Sequence, residues 1–280
     1  MKKIIALSLC CILLFFLTSC AIINRFKGDM SKLSYDDNEN LLYSENSYCN
    51  EKNDDPSTTE QQVWLPYTML DYVENCKRTY YYDEYGNETK MTKEDWDGNI
   101  QATWSYEYDD NQNLIKRSVD TGEGEPFVQL IQVYDDNGNL IEKREISLNF
   151  ESVFTYQYDE QNRLISRSNG GQIVETYTYE ADGNYKIQDV NDANMYSIYR
   201  ADGKILERHS GSNTKAVYSY NENGILVECV IYSGEKITKK QGYYFDDNGN
   251  PIKIFEVNAS GEEKVIGEFE YKQYTVKTNT

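Results

Sequence analysis

Carboxylates are the groups in this chain best placed to do chemistry, because Asp and Glu number 47 against 28 Lys and Arg. Many fall in one recurring block. It reads Tyr82-Asp83-Glu84-Tyr85-Gly86-Asn87, then Tyr134-Asp135-Asp136-Asn137-Gly138-Asn139, then Phe245-Asp246-Asp247-Asn248-Gly249-Asn250. Such a block invites a test for calcium. A helix–loop–helix calcium loop needs oxygen ligands five, three and one residues before its glycine and a Glu six residues after it. Before Gly138 these positions hold Val133, Asp135 and Asn137, and before Gly249 they hold Tyr244, Asp246 and Asn248. Arg144 and Phe255 occupy the position of the closing Glu. The calcium pattern is incomplete, and no metal or other cofactor is expected. A glycosidase-type pair of carboxylates must face a cleft at a set separation, which regular repeats give no special loop to build. His209 is the single histidine, too few for a histidine metal cluster and poor material for a catalytic triad. No Gly-x-Ser-x-Gly, Walker loop or His-Glu-x-x-His occurs. The expected protein is not an enzyme.

A turn accounts for the block without a metal. Asp in its first polar slot can accept hydrogen bonds from backbone two residues on. Gly in the fourth supplies a left-handed conformation, giving a three-residue hairpin loop with a bulge. The glycine slot recurs as Gly86, Gln112, Gly138, Asn162, Gly183, Gly203, Gly224 and Gly249. Asn tolerates that conformation, and Gln is a poorer fit. A spacing of 20–26 residues between slots marks a tandem repeat.

Between the turns the hydrophobic period is two. Trp104, Tyr106 and Tyr108 alternate with Ser105 and Glu107; Phe154, Tyr156 and Tyr158 alternate with Thr155 and Gln157. Tyr177 and Tyr179, and Tyr218 and Tyr220, repeat the pattern. Half-buried antiparallel strands read this way. Leu114-Ile115, Leu140-Ile141, Leu164-Ile165, Ile205-Leu206 and Leu226-Val227 begin the return strands. Looser turns follow half a period later at Gly122, Gly170-Gly171, Gly211, Gly234 and Gly261, with Asp97-Gly98-Asn99 midway between the slots at Gly86 and Gln112. The expected fold is all-β: about eight tandem β-hairpin repeats, roughly 16–18 strands, in one curved antiparallel sheet of shell-like or spiral form. Tyr106, Tyr156, Tyr177 and Tyr218 should line its inside. Trp64, Tyr67, Tyr72, Trp96, Tyr185 and Tyr196 fall off the pattern. They are candidates for an exposed glycan- or protein-binding surface, or for local caps and end packing.

The N-terminus carries an address. Lys2 and Lys3 precede an apolar run from Ile4 to Leu17, too short to span about 30 Å of hydrocarbon as a helix and suited to a signal sequence. It ends in Leu17-Thr18-Ser19-Cys20, which resembles the bacterial lipobox. That resemblance implies cleavage before Cys20, diacylation of its thiol and a stable membrane anchor in the cell envelope; the alternative is an ordinary secretory signal. The chain then divides into a signal peptide (1–19), a lipidated N-terminus with a polar tether (20–62), and the repeat domain (63–280). Within 21–62, the stretch Ser44 to Gln62 is nearly all polar and shows no apolar periodicity, though Leu41, Leu42, Tyr43 and Tyr48 could dock locally. A flexible tether of that length has a root-mean-square span of about 35 Å.

A formal net charge of −19 argues against nucleic acid and against docking on anionic headgroups. Cys10 and Cys11 would leave with the signal. Cys49, Cys76 and Cys229 remain, either with one Cys49–Cys76 disulfide or as three thiols.

The Tyr-Asp-x-x-Gly-Asn-Leu-Ile blocks, over about residues 80–272, resemble the YD repeats of the rearrangement-hotspot (RHS) proteins. In that family the repeats wind a long β-sheet into a shell, which in large members encloses a toxin. The resemblance implies a small exported lipoprotein and carries no catalytic residues with it. Three roles follow: a surface-anchored binding scaffold, a structural spacer of the envelope, or an accessory of a toxin or secretion system.

Overall fold

The computed structural model describes residues 32–35, 41–45, 60–147 and 149–277. The signal sequence, Cys20 and Cys49 lie outside the described residues. All described regular structure is strand. A small antiparallel hairpin comprises β1 (Lys32–Tyr35) and β2 (Leu41–Glu45), within the segment expected to be a tether. β3 (Glu60–Asp71) starts slightly before the expected boundary at residue 63. The strands that follow are β4 (Cys76–Tyr82), β5 (Glu88–Glu94), β6 (Ile100–Tyr108), β7 (Leu114–Asp120), β8 (Phe127–Tyr134), β9 (Leu140–Ser147), β10 (Phe150–Tyr158) and β11 (Leu164–Asn169). After them come β12 (Gln172–Tyr179), β13 (Tyr185–Asp189), β14 (Met195–Tyr199), β15 (Ile205–Ser210), β16 (Thr214–Tyr220), β17 (Leu226–Ser233), β18 (Lys236–Phe245), β19 (Pro251–Asn258) and β20 (Glu263–Lys277).

Strands β3 to β20 form one closed antiparallel barrel in which each strand pairs with its sequence neighbours. Closure corrects the expectation of an open, spiral or shell-like sheet. The two terminal strands pair with each other from Gly267↔Asp71 to Lys277↔Glu60. An open sheet of this many strands would leave two long edges of unpaired backbone groups, and accumulated twist brings those edges together.

All eight motif turns lie at one mouth, here the motif mouth, and the looser turns lie at the other. The β3–β20 ribbon runs on past the motif mouth. Its Val63, Leu65 and Val276 pack with Tyr82 and Tyr274, and the Lys277 amide donates to the Glu84 carbonyl of the first turn at 2.6 Å. The described chain therefore enters and leaves at the motif mouth.

The two faces of the wall differ. Tyr156, Tyr177, Tyr218, Leu140, Leu164 and Ile205 belong to one buried cluster reaching from β9 to β17. No second layer of described structure covers the outside, so this buried face is the interior. Tyr106 faces the same way but is only half-buried. The outer face carries cross-strand ion pairs such as Lys116–Glu107, Lys253–Glu268 and Lys240–Glu228. A lipid-spanning barrel needs an apolar outer band instead. No helix in the described residues is long and apolar enough to cross a membrane.

Candidate functional site

The motif turn is a closed set of hydrogen bonds. In the copy at Asp135, the Asp135 amide donates to the Asn139 carbonyl and the Gly138 amide to the Asp135 carbonyl, both at 2.9 Å. Asp135 Oδ1 accepts from the amides of Asn137 and Asn139, and its Oδ2 accepts from Asn139 Nδ2. Burial works to raise the Asp135 pKa, but the bonds from Asn139 prevail and hold it below the usual carboxylate range. Asp83, Asp109 and Asp246 repeat this pattern. In these four turns the first Asp is committed to the turn's own donors, which a cation would have to displace.

Gly86, Gly138, Gly183, Gly203, Gly224 and Gly249 have φ between 74° and 88°. Gln112 and Asn162 adopt the same left-handed conformation, at 66° and 63°. Each is held by the preceding repeat: Asn87 Nδ2 donates to Gln112 Oε1 at 2.6 Å, and Asn139 Nδ2 to Asn162 Oδ1 at 2.7 Å. These bonds offset the cost of a non-glycine residue there.

The motif tyrosines have a shared task. Tyr82, Tyr108, Tyr134, Tyr158, Tyr179 and Tyr220 donate their hydroxyls to the carbonyls of Pro66, Glu88, Leu114, Leu140, Leu164 and Ile205, at 2.8–3.1 Å. Each bond ties one hairpin to the one before it. Burial pushes the Tyr134 phenol up to about 12. Phe245 fills this slot in the last repeat without a hydroxyl.

A bulge follows each turn in seven of the eight hairpins. It puts two successive residues on one side. Ile141 and Ile165 are the bulged residues of their hairpins and are exposed. Two residues further on, Arg117, Lys143, Arg167 and Arg208 pair with the inward positions Tyr106, Gln132, Tyr156 and Ser197. The interior wall thus carries a row of cations on equivalent positions. Lys143 bonds Glu145 at 2.5 Å, and burial lowers its pKa against that carboxylate's pull. Arg167 makes two bonds to Glu175, at 2.9 and 2.7 Å. Near the other mouth, Arg78 reaches Asp71 at 2.8 Å and Glu74 at 2.7 Å, and Lys93 shares Glu74. Asp71, Glu74 and the fully buried Cys76 are close enough to hold an ion together, but Arg78 and Lys93 already neutralise the two carboxylates.

Of the off-pattern aromatics, Trp96 is exposed at 51 % and lies 6.1 Å, centroid to centroid, from half-buried Tyr72. Trp64, Tyr67 and Tyr196 are half-buried, with Tyr196 stacked on His209 at 4.1 Å. Tyr185 is a correction. It is 4 % exposed and stacks on Tyr199 at 4.9 Å, because it fills the inward slot that Leu holds in other repeats. Sequence reading missed a second exposed apolar set at the mouth opposite the motif turns: Val73, Ile100, Phe150, Ile173, Val190 and Ile237. Their positions beside the looser turns were readable, but their exposure was not. Cys76 and Cys229 are buried, and neither forms a disulfide among the described residues.

Residues 134–174 match the RHS repeat family, so the chain carries an RHS repeat where the Tyr-Asp blocks are best formed. No curated protein matches the chain. Among solved structures, the crystal structure of TcdB2-TccC3-Cdc42 is similar at 12% identity over 81% of this chain and 14% of that one, with a TM-score of 0.30. TcdB2-TccC3 without its hypervariable C-terminal region gives 13% identity over 81% and 14%, with a TM-score of 0.31. A porin-like protein from Bacteroides uniformis gives 12% identity over 78% of this chain and 94% of that one, with a TM-score of 0.37. This chain spans only about 14% of the toxin chains' length, and scores this low carry no argument about function.

Proposed function

We propose that this is a non-enzymatic, exported protein held on a membrane of the cell envelope by lipid at Cys20, whose repeat barrel is a binding scaffold for a glycan or protein. One observation carries the reading. The mouth away from chain entry and exit bears exposed apolar side chains, Trp96 and Ile100 foremost, at 51% and 62% exposure. Trp96, solvated beside Tyr72, and the exposed Ile100 on the same turn suit a binding surface. Chain entry at the motif mouth would turn that surface away from the anchor. Lipidation rests on Leu17-Thr18-Ser19-Cys20.

Two experiments test it. Intact-mass analysis of membrane-extracted protein should show an acylated Cys20 as the first residue; an unlipidated protein beginning elsewhere contradicts the anchor. Binding to a glycan array and to purified envelope proteins should weaken at least tenfold in a Trp96→Ala, Ile100→Ser double variant. Equal binding by the variant would leave the barrel as a spacer. A role beside a toxin or secretion system rests on the RHS repeat at 134–174 alone.

A further inference from the structure

The inward cations are not equally neutralised. Lys143 finds its carboxylate two residues along its own strand, at Glu145. Arg167 finds one directly across the ladder, at Glu175. At Arg117 both positions are apolar: two residues along is Val119, and across the ladder is Leu130. No ion pair to Arg117 exists among the described residues, and its Nε–H is buried with no hydrogen-bond acceptor. The inward carboxylate on β5, Glu88, is bonded to the Tyr106 hydroxyl, which lies across the ladder from Arg117, and its Oε1 is buried with no donor. The neighbouring inward cation Lys143 adds positive potential that Arg117 feels and returns.

A buried guanidinium N–H without an acceptor is costly. Arg117 as a whole is only half-buried although it points inward, so solvent and small solutes reach it from the interior. A closed sheet of this many strands is wide enough to admit them. We propose that Arg117 is the anchor of an oxyanion site on the inner wall of the barrel, taking the carboxylate or phosphate of a small ligand. The planar guanidinium offers the paired donors that such groups match. Lys143 supports the site by charge, while Tyr106 and Leu130 wall it. The site is separate from the apolar mouth and does not depend on a partner binding there.

The test uses the full chain and inorganic phosphate as probe, at fixed pH and ionic strength with chloride as the balancing anion. The melting temperature of the wild type should rise with phosphate and saturate, since a ligand bound only by the folded state stabilises it. Arg117→Met should show no saturable rise. Arg144→Gln, which removes an outer-wall arginine, should respond like the wild type and so control for general salt effects. Succinate in place of phosphate separates the two sources of oxyanion, and saturation by either supports the site. A non-saturating response of the wild type to both anions, or an equal response in Arg117→Met, overturns it. Should Arg117→Met fail to fold, the side-chain Nε–H resonance of Arg117 in the wild type decides. A saturable shift with phosphate or succinate is expected, and no shift with either contradicts the proposal.

Discussion

The Tyr158 hydroxyl donates to the Leu140 carbonyl at 2.9 Å, joining one repeat to the repeat before it. Tyr158→Phe keeps the ring packing and deletes this bond alone. We expect it to cost about 1 kcal/mol, the usual net worth of such a bond, read as a lower denaturant midpoint at unchanged slope. The complementary change, Phe245→Tyr, puts a hydroxyl into the one motif slot that lacks it and should leave stability equal or raised. A Tyr158→Phe protein with wild-type stability would show the ladder to be incidental.

Gly138 sits at φ 80°. A β-branched side chain fits that conformation badly, so Gly138→Val should destabilise by about 1–2 kcal/mol. Asn162→Gly, in a slot already left-handed, should cost less, losing only the bond from Asn139. Thermal melts of the two variants side by side test the order; the reverse order would count against the turn geometry.

Asp135 titrates below the normal carboxylate range in the folded state. A group whose folded pKa is depressed lends stability above its unfolded pKa of about 4 and loses it as pH falls through the folded value. Stability should therefore drop below about pH 4. Asp135→Asn keeps an acceptor, as Asn221 and Asn258 do in their own turns, and should flatten part of that acid limb with little change near neutrality. An acid limb of unchanged steepness would argue against the Asp135 contribution.

The Arg78–Asp71 pair is buried, with side-chain exposures of 9% and 6%. Asp71→Ala leaves a buried guanidinium with Glu74 as its remaining carboxylate and should cost about 3 kcal/mol. Glu107→Ala, which breaks the solvent-exposed pair with Lys116, should cost under about 1 kcal/mol. Denaturant unfolding of the two variants tests the contrast.

Much of this architecture was legible in the residues. Tyr-Asp-x-x-Gly-Asn fixed the turns because Asp, Gly and Asn each answer a distinct backbone demand. The alternation around Tyr156, Tyr177 and Tyr218 placed the interior face correctly. Closure was not legible. β3 and β20 carry no motif, and no local pattern announces a pairing between Met69 and Phe269. The inward cations were hidden by the bulge. A strict period of two from Leu140 points Glu142 and Arg144 inward; the extra residue at Ile141 turns Lys143 inward instead. Tyr185 was misjudged because Tyr replaces the Leu usual in that slot, so identity masked an unchanged position.

Hydrogen exchange by mass spectrometry tests closure of the barrel most directly. If β3 and β20 seal the sheet, peptides covering residues 67–72 and 263–269, where the two strands pair with each other and with β4 and β19, should exchange as slowly as those covering 150–158, opening only with global unfolding. If the sheet is open, its terminal strands are edges, and those two peptides would exchange fastest of all the strands.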